Sequence, residues 1–220
     1  EVCMSTLPFW QHFAPEEDLT APYTDRFRVR IGPHRLDLPL RILPDGQQSV
    51  SSLLVNQASF TVMDALSDNL SEIARSLMPD LIVGMPTLGL GLAATVARAC
   101  GLARYVPLST SRKFWYDDSL SAPLSSITSP DKTKRLYLDP NLLTLLQCAK
   151  RIVIVDDVVS TGFSLEAAVK VLGKAGASPY AALCVMTHSQ RWQGKFSFPV
   201  MSCFSSPLFK PCDGGWVEQD

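Results

Sequence analysis

The amino-acid sequence predicts an α/β fold, a mostly parallel central sheet flanked by helices, on three observations. First, Arg151-Ile152-Val153-Ile154-Val155 and the shorter Leu81-Ile82-Val83 are continuous apolar runs, the composition of strands buried on both faces of a parallel sheet. Second, each run is followed by a glycine-bearing turn and then an amphipathic stretch, Gly84 to Cys100 after the first and Asp156 to Gly176 after the second. Third, the order strand, helix, strand, loop, strand, helix, strand is the alternation that builds a sheet from crossover units. No internal repeat interrupts it.

Along the chain, residues 1 to 58 are proline-rich and irregular, with strands expected at Arg26 to Ile31 and Arg35 to Ile42 about the turn Gly32-Pro33. A small, partly β subdomain is expected there. Val62, Leu66, Leu70, Ile73 and Leu77 recur at spacings of three and four, predicting a helix over Thr61 to Leu77 that Pro79 stops. The strand at Leu81-Val83 leads through Met85-Pro86-Thr87-Leu88 into a helix reaching Cys100, capped by Gly101. Tyr105 to Leu108 reads as a strand whose Pro107 places it at an edge. Ser109 to Asn141 has no sustained period and carries Arg112, Lys113, Asp117, Asp118, Lys132, Lys134 and Arg135, as a functional loop, a lid or a disordered excursion does. A short helix over Leu142 to Ala149 precedes the strand at Arg151. The helix after it has Leu165, Ala168, Val169 and Leu172 on one face, and strands follow at Pro179 to Thr187 and Phe196 to Phe204.

Composition narrows the classes. With 220 residues, 46% of them hydrophobic and 19% charged, the chain can bury a substantial core. Its length suits one domain: a core of about residues 60–190 and a discontinuous smaller part from residues 1–58 and 190–220. A net charge of -1, from 20 Lys+Arg against 21 Asp+Glu, supplies no field to hold a polyanion or an anionic membrane, so no nucleic-acid and no membrane partner is expected. Six cysteines at 3, 100, 148, 184, 203 and 212 include no C-x-x-C pair. Cys100, Cys148 and Cys184 lie in apolar stretches, as buried thiols of a reducing, cytoplasmic compartment do. Glu1-Val2-Cys3-Met4 has no basic segment before an apolar run, unlike a signal peptide. The uncharged segment Leu81 to Ala97 is broken by Gly84, Pro86, Gly89 and Gly91, unlike a membrane span.

In an open α/β sheet, ligands sit beyond the carboxyl ends of the strands, so the residues after Val83 and Val155 carry the chemistry. The loop Ser160-Thr161-Gly162-Phe163-Ser164 precedes a helix, so its backbone N–H groups and the positive helix end converge on one spot. Three hydroxyls add donors, and Gly162 permits a close backbone approach. Such a loop suits a monophosphate. Asp156 and Asp157 come just before it and would repel a phosphate, so they must face either vicinal hydroxyls or a divalent cation. A ribose 5-phosphate meets that demand.

The run Ile152-Val153-Ile154-Val155-Asp156-Asp157-Val158-Val159-Ser160-Thr161-Gly162-Phe163-Ser164 resembles the phosphoribosyl-pyrophosphate signature of type I phosphoribosyltransferases. Gly84 to Gly89 stands where that family has its pyrophosphate loop. Arg112-Lys113 is similar to the basic pair that opens its catalytic loop, and Val55-Asn56-Gln57 to a base-contacting stretch of the xanthine enzymes, so the likeness leans to the adenine and xanthine branch. The resemblance implies a core of this fold with a small hood subdomain. It implies an enzyme of purine salvage in which a base displaces pyrophosphate from C1 of phosphoribosyl pyrophosphate, with Mg2+ as cofactor and a homodimeric assembly. It assigns Asp156 and Asp157 to the ribose hydroxyls and Mg2+, and Ser160 to Ser164 to the 5-phosphate. Thr87, Leu88 and Gly89, with Arg112 and Lys113 from the loop, fall to the pyrophosphate, and Asn56, Val158 and His188 to the base. The chain departs from the family in three places: serine at 160 where hypoxanthine-guanine enzymes have aspartate, an apolar Met85-Pro86-Thr87-Leu88, and His188 where xanthine enzymes have lysine.

Other readings stand beside this one. Gly84 and Gly89 have P-loop spacing, but Leu90-Gly91 replaces the required Lys-Ser/Thr. Gly89-x-Gly91-x-x-Ala94 matches a dinucleotide fingerprint loosely, because Pro86-Thr87-Leu88 intervene between the strand and its first glycine. A non-catalytic protein that binds phosphoribosyl pyrophosphate or a nucleotide is the alternative from a different functional class. Phe114-Trp115-Tyr116 and the tail Pro207 to Val217, with Phe209 and Trp216, are left without a role, although Trp216 and Phe209 suit either stacking or packing.

Overall fold

The computed structural model describes residues 9–124 and 134–219. Cys3, the amino-terminal segment and Lys132 lie outside these described residues. The chain begins with an antiparallel hairpin, β1 (Arg26–Ile31) and β2 (His34–Ile42), followed by a short strand β3 (Ser49–Ser51). Ser59 then caps helix α1 (Phe60–Leu77), its side chain accepting from the Val62 N–H, which contributes about 1 kcal/mol. The helix ends at Met78, which takes the left-handed conformation at φ 47° because Pro79 disfavours right-handed helical backbone before it.

The central layer follows. β4 (Leu81–Gly84) leads to α2 (Gly89–Ala99) and the two-residue β5 (Val106–Pro107). The segment expected as one long loop holds a small antiparallel pair, β6 (Ser121–Pro123) with β7 (Arg135–Tyr137), and a single 3-10 turn over Asp118–Leu120. Its polar sequence hid the pair because each strand is only three residues long, too short to show a period. Helix α3 (Leu143–Cys148) precedes β8 (Ile152–Val159), which continues four residues past the apolar run, so Asp156 and Asp157 belong to the strand and not to the loop after it. Then come α4 (Phe163–Lys174), β9 (Pro179–His188) and β10 (Val200–Ser206). The strand expected from Phe196 starts at Val200.

Five strands form the parallel sheet in the order β10-β9-β8-β4-β5, with β5 at the edge as Pro107 requires. The chain adds β5 on one side of β4 and then returns to add β8 on the other, so the strand order reverses between β4 and β8. Asp80 pins these two strands at their start, its carboxylate accepting from the Lys150 and Arg151 N–H groups at 2.8 and 2.9 Å. Side chains of β8 alternate between two apolar clusters: Val153 and Val155 pack with α1 and α2, Ile152 and Ile154 with α3 and α4. Each face of the sheet is therefore covered, and this is why Leu81 to Val83 and Ile152 to Val155 are continuous apolar runs.

The tail resolves into β11 (Leu208–Cys212) and β12 (Gly215–Gln219), which complete a second, antiparallel sheet in the order β1-β2-β3-β11-β12. Both chain ends thus build one layer. Phe209 is fully buried, 5.8 Å from the Tyr23 ring and 5.1 Å from Phe27 in edge-on contacts. Val29, Ile31, Leu36 and Leu38 of the hairpin share a cluster with Val62, Leu66 and Leu70 of α1. A buried hydroxyl pair, Ser51 Oγ and Ser206 Oγ at 2.6 Å, ties the two sheets together. Among the three apolar-stretch thiols, Cys184 is buried, Cys100 is half-buried and Cys148 is exposed at the end of α3, where the sequence had predicted burial.

Because Phe209 joins the carboxyl-terminal strands to the hairpin, Phe209→Ala is expected to lower stability by about 3–5 kcal/mol. Urea unfolding checks this, and a loss below about 1 kcal/mol would show that the aromatic cluster does not hold the antiparallel sheet.

Candidate functional site

The strand order reverses between β4 and β8, and in open α/β sheets ligands bind beyond the carboxyl ends of the strands at such a reversal. Each of these strands runs into a helix. Neither helix has a side-chain cap, since neither Leu88 before α2 nor Gly162 before α4 carries a side-chain acceptor for the first N–H groups. Two sets of first-turn N–H groups are therefore left for a ligand, each at the positive end of a helix of eleven or more residues. Such an arrangement holds two separate anionic groups.

Gly89 sets the distance between the two. A Cβ on it would lie 2.8 Å from the Asp156 Cα and 3.0 Å from the Asp156 Oδ1, so only glycine lets the start of α2 touch the end of β8. The Pro86-Thr87 peptide in the connecting turn is cis. Thr87 is exposed, Leu88 half-buried and Gly89 buried, which puts the predicted pyrophosphate-loop residues side by side against the strand end.

Asp156 is buried, and its Oδ1 accepts from the Asp157 N–H at 2.9 Å. Burial first, and then the neighbouring Asp157 charge, push its carboxyl well above the usual aspartate value. Burial pushes Asp157 up as well. These carboxylates are held ready for a partner that donates hydrogen bonds or carries positive charge.

Beyond them lies a cavity of about 110 Å³ lined by Asp156, Val158 and the whole loop from Ser160 to Ser164. The structure brings together the residues that the sequence grouped there. Gly162 has φ 84°, and a Cβ on it would come 3.1 Å from the Phe196 ring. Phe196 belongs to the segment between β9 and β10, which folds over the loop and brings two cations with it. Arg191 Nη2–H donates to Ser160 Oγ at 3.4 Å, and Lys195 Nζ–H donates to the Thr161 carbonyl at 2.9 Å while lying 4.5 Å above the Phe163 ring. Sequence reasoning missed Arg191, Trp192, Lys195 and Phe196. Their only signal was a short basic and aromatic run just after the last strong strand, some thirty residues from the loop that they cover.

The remaining predicted residues are placed as follows. Arg112 and Lys113 are exposed, and Arg112 pairs with Asp118, Nε to Oδ1 at 2.8 Å. Phe114 is exposed beside them, and Trp115 Nε1–H donates to Asp139 Oδ2 at 3.3 Å. Asn56 is exposed on the single turn Val55–Gln57 before α1 and makes no side-chain hydrogen bond among the described residues. Val158 is half-buried. His188 is buried at the carboxyl end of β9, and its Nε2 has no partner among the described residues. Burial first, and then Arg191, lower its pKa to about 4, so the imidazole is neutral at pH 7.

Among the described residues no group of three or more His, Cys, Asp or Glu side chains forms a metal cage. The two carboxylates alone suit a magnesium ion, which takes one or two carboxylates and completes its shell with substrate oxygens and water. No described helix is long and apolar enough to cross a membrane.

Comparison with known proteins agrees with this geometry. The family model described as a phosphoribosyl transferase domain matches residues 49–209. A transcriptional regulator, GfcR of Methanoculleus marisnigri, is 34% identical over 106 residues, 47% of this chain, and the chain spans 42% of that regulator's length. Among solved structures, adenine phosphoribosyltransferase from Saccharomyces cerevisiae, complexed with an imino-altritol bisphosphate and adenine, aligns with a TM-score of 0.60 at 18% identity, covering 76% of this chain and 93% of that one. The Trypanosoma brucei adenine phosphoribosyltransferase, in complex with AMP, pyrophosphate and ribose-5-phosphate, aligns at 0.57 and 15% identity, covering 82% and 75%. At these identities the likeness is one of fold.

The raised Asp156 carboxyl has a consequence for stability. In the unfolded chain it titrates near 3.8, and in the folded protein higher, so between those values the folded state binds the extra proton. Stability contributed at low pH is thus lost as pH rises through this window. Asp156→Asn, which removes the buried ionisable group, is expected to melt higher than the natural sequence at pH 7, with the difference shrinking as pH falls toward 3.8. Paired thermal melts across pH check this, and a pH-independent difference would contradict it.

Proposed function

This chain belongs to the phosphoribosyl transferase domain family, and on that premise we propose that it transfers the 5-phosphoribosyl group from phosphoribosyl pyrophosphate to a nitrogenous base, a purine of the adenine or xanthine type, and releases pyrophosphate. The observation that carries this reading is the pair of uncapped helix starts separated by a buried carboxylate pair: two anion sites with an acidic ridge between them. A substrate with a phosphate at one end, a pyrophosphate at the other and hydroxyls in the middle has the complementary pattern. The antiparallel sheet is the hood, and with the core it forms one domain; a homodimer is the assembly we propose.

In this mechanism the 5-phosphate sits in the Ser160 to Ser164 loop, on the first N–H groups of α4. Asp156 and Asp157 accept hydrogen bonds from the ribose hydroxyls, which fixes the ring and stabilises positive charge developing at C1. Thr87, Leu88 and Gly89 offer the pyrophosphate the backbone N–H groups at the start of α2. Bound Mg2+, held by Asp156 and Asp157 directly or through water, would supply charge neutralisation on the leaving pyrophosphate. Arg112 and Lys113 reach the same oxygens when their loop closes, and Arg112 then exchanges Asp118 for a phosphate oxygen. Closure also excludes water, which otherwise competes as nucleophile. Val158, His188 and Asn56 face the base in this reading. A neutral, buried His188 offers it one ring nitrogen as donor or acceptor.

A second reading, a non-catalytic protein that binds phosphoribosyl pyrophosphate or a nucleotide, is favoured by the likeness to a transcriptional regulator. Pyrophosphate release decides between the two. With phosphoribosyl pyrophosphate, Mg2+ and a panel of free bases, at least one base is expected to drive release. Binding of phosphoribosyl pyrophosphate without release on any base would select the second reading. Asp157→Asn is expected to lower kcat/KM by about 100-fold or more, as loss of a preorganised charge does. An unchanged value would remove the carboxylate from the mechanism.

A further inference from the structure

A larger cavity, of about 600 Å³, lies beyond the carboxyl ends of β9 and β10. Ser189 and Arg191 line it from the segment after β9, Ser206 from the end of β10, Phe27 from β1, and Glu218 and Gln219 from β12. It falls within the size range of small-molecule sites, roughly 300–1,000 Å³. Arg191 gives it a common wall with the phosphate loop, since the same guanidinium lines the cavity and donates to Ser160 Oγ.

Strand order supplies the next step. In the sequence β10-β9-β8-β4-β5, the loop after β4 is on one side of the phosphate-bearing β8, and this cavity is on the other. A displacement at C1 needs its nucleophile on the face opposite the leaving group. With pyrophosphate at the end of β4, the acceptor belongs at the ends of β9 and β10.

The polar groups of the cavity then limit the acceptor. Arg191 can only donate, through a planar fork; its Nε–H and Nη2–H reach the Ser189 and Ser160 hydroxyls at 3.3 and 3.4 Å, long contacts that a ligand acceptor replaces, and it has no carboxylate within 4.0 Å among the described residues. Glu218 as a carboxylate can only accept; its Oε1 takes the Tyr23 hydroxyl proton at 3.1 Å, and among the described residues Oε2 takes none. The Phe27 ring is held by edge contacts to Tyr23 and Phe209 and offers apolar surface between these polar groups. A 6-oxopurine presents two adjacent acceptors, O6 and N7, to a guanidinium fork, and an N1–H donor to a carboxylate. A 6-aminopurine offers a donor in place of O6 and an acceptor at N1, which opposes both residues. Resting on the phosphoribosyltransferase reading above, but seating the base past Asn56, Val158 and His188, none of which lines this cavity, we propose that the cavity is the acceptor-base pocket and that Arg191 and Glu218 select a 6-oxopurine over a 6-aminopurine.

Calorimetric titration of the full chain with ribose 5-phosphate, inosine 5-monophosphate and adenosine 5-monophosphate tests this. The inosine nucleotide is expected to bind about tenfold or more tighter than the adenosine nucleotide, the discrimination that one bidentate base contact supplies. Glu218→Gln, whose amide can either donate or accept, is expected to bring the two affinities within about threefold while leaving ribose 5-phosphate binding unchanged. Retained ribose 5-phosphate binding also shows that the variant is folded. Arg191→Gln is expected to weaken the inosine nucleotide more than the adenosine one. Equal binding of both nucleotides to the natural sequence, or a ratio untouched by Glu218→Gln, overturns the selection while the phosphoribosyl site stands. If no ribose 5-phosphate binds at all, the phosphoribosyl reading falls and this inference with it.

Discussion

The contact between Gly89 and Asp156 is the constraint on which the rest of the molecule turns. It is backbone against backbone, with no room for even a methyl group. Because of it, the start of α2 and the end of β8 meet at the reversal in strand order. Two anion-receptive helix ends and a pair of carboxylates are thereby brought into one crevice. A side chain at position 89 would separate them, and a ligand spanning both helix starts would lose one of its ends.

That arrangement is electrostatically costly without its ligand. Asp156 is buried beside another aspartate, and the protein accepts the destabilisation that burying such a charge brings. Apolar clusters on both faces of the sheet hold the strand end in place against that cost. The near-neutral net charge of the chain thus conceals a polarised surface: acidic at the end of β8, cationic at Arg191 and Lys195 over the Ser160 to Ser164 loop, and cationic again at Arg112 and Lys113 on the loop after β5. Substrate charge is met locally rather than by a global field.

Much of the core was legible because its signals are local. Arg151 to Val155 marks a doubly buried strand by composition, and Ser160 to Ser164 marks a helix start by its hydroxyls and glycine. Both depend on neighbours within a few residues. The boundaries were less legible. Asp156 and Asp157 extend β8 because β9 runs alongside and supplies hydrogen-bond partners as far as Val159, which pairs with Thr187. No local rule favours two aspartates in a strand. Exposure of Cys148 likewise follows from where α3 ends, not from its apolar neighbours.

Local pattern was enough to establish an α/β chain with two strand-turn-helix units whose turns suit anions, and the phosphoribosyl signature lies wholly within one of them. Tertiary structure alone decided which elements surround those turns. The antiparallel sheet pairs β3 with β11 across more than 150 residues, and Arg191, Lys195 and Phe196 reach the phosphate loop from the far side of β9. Contacts of that kind leave no periodic trace in the chain, because they arise from the packing of whole elements. The two helix starts and the carboxylates between them were therefore readable from sequence, whereas the cavity beyond β9 and β10 exists only once both ends of the chain have folded over the sheet.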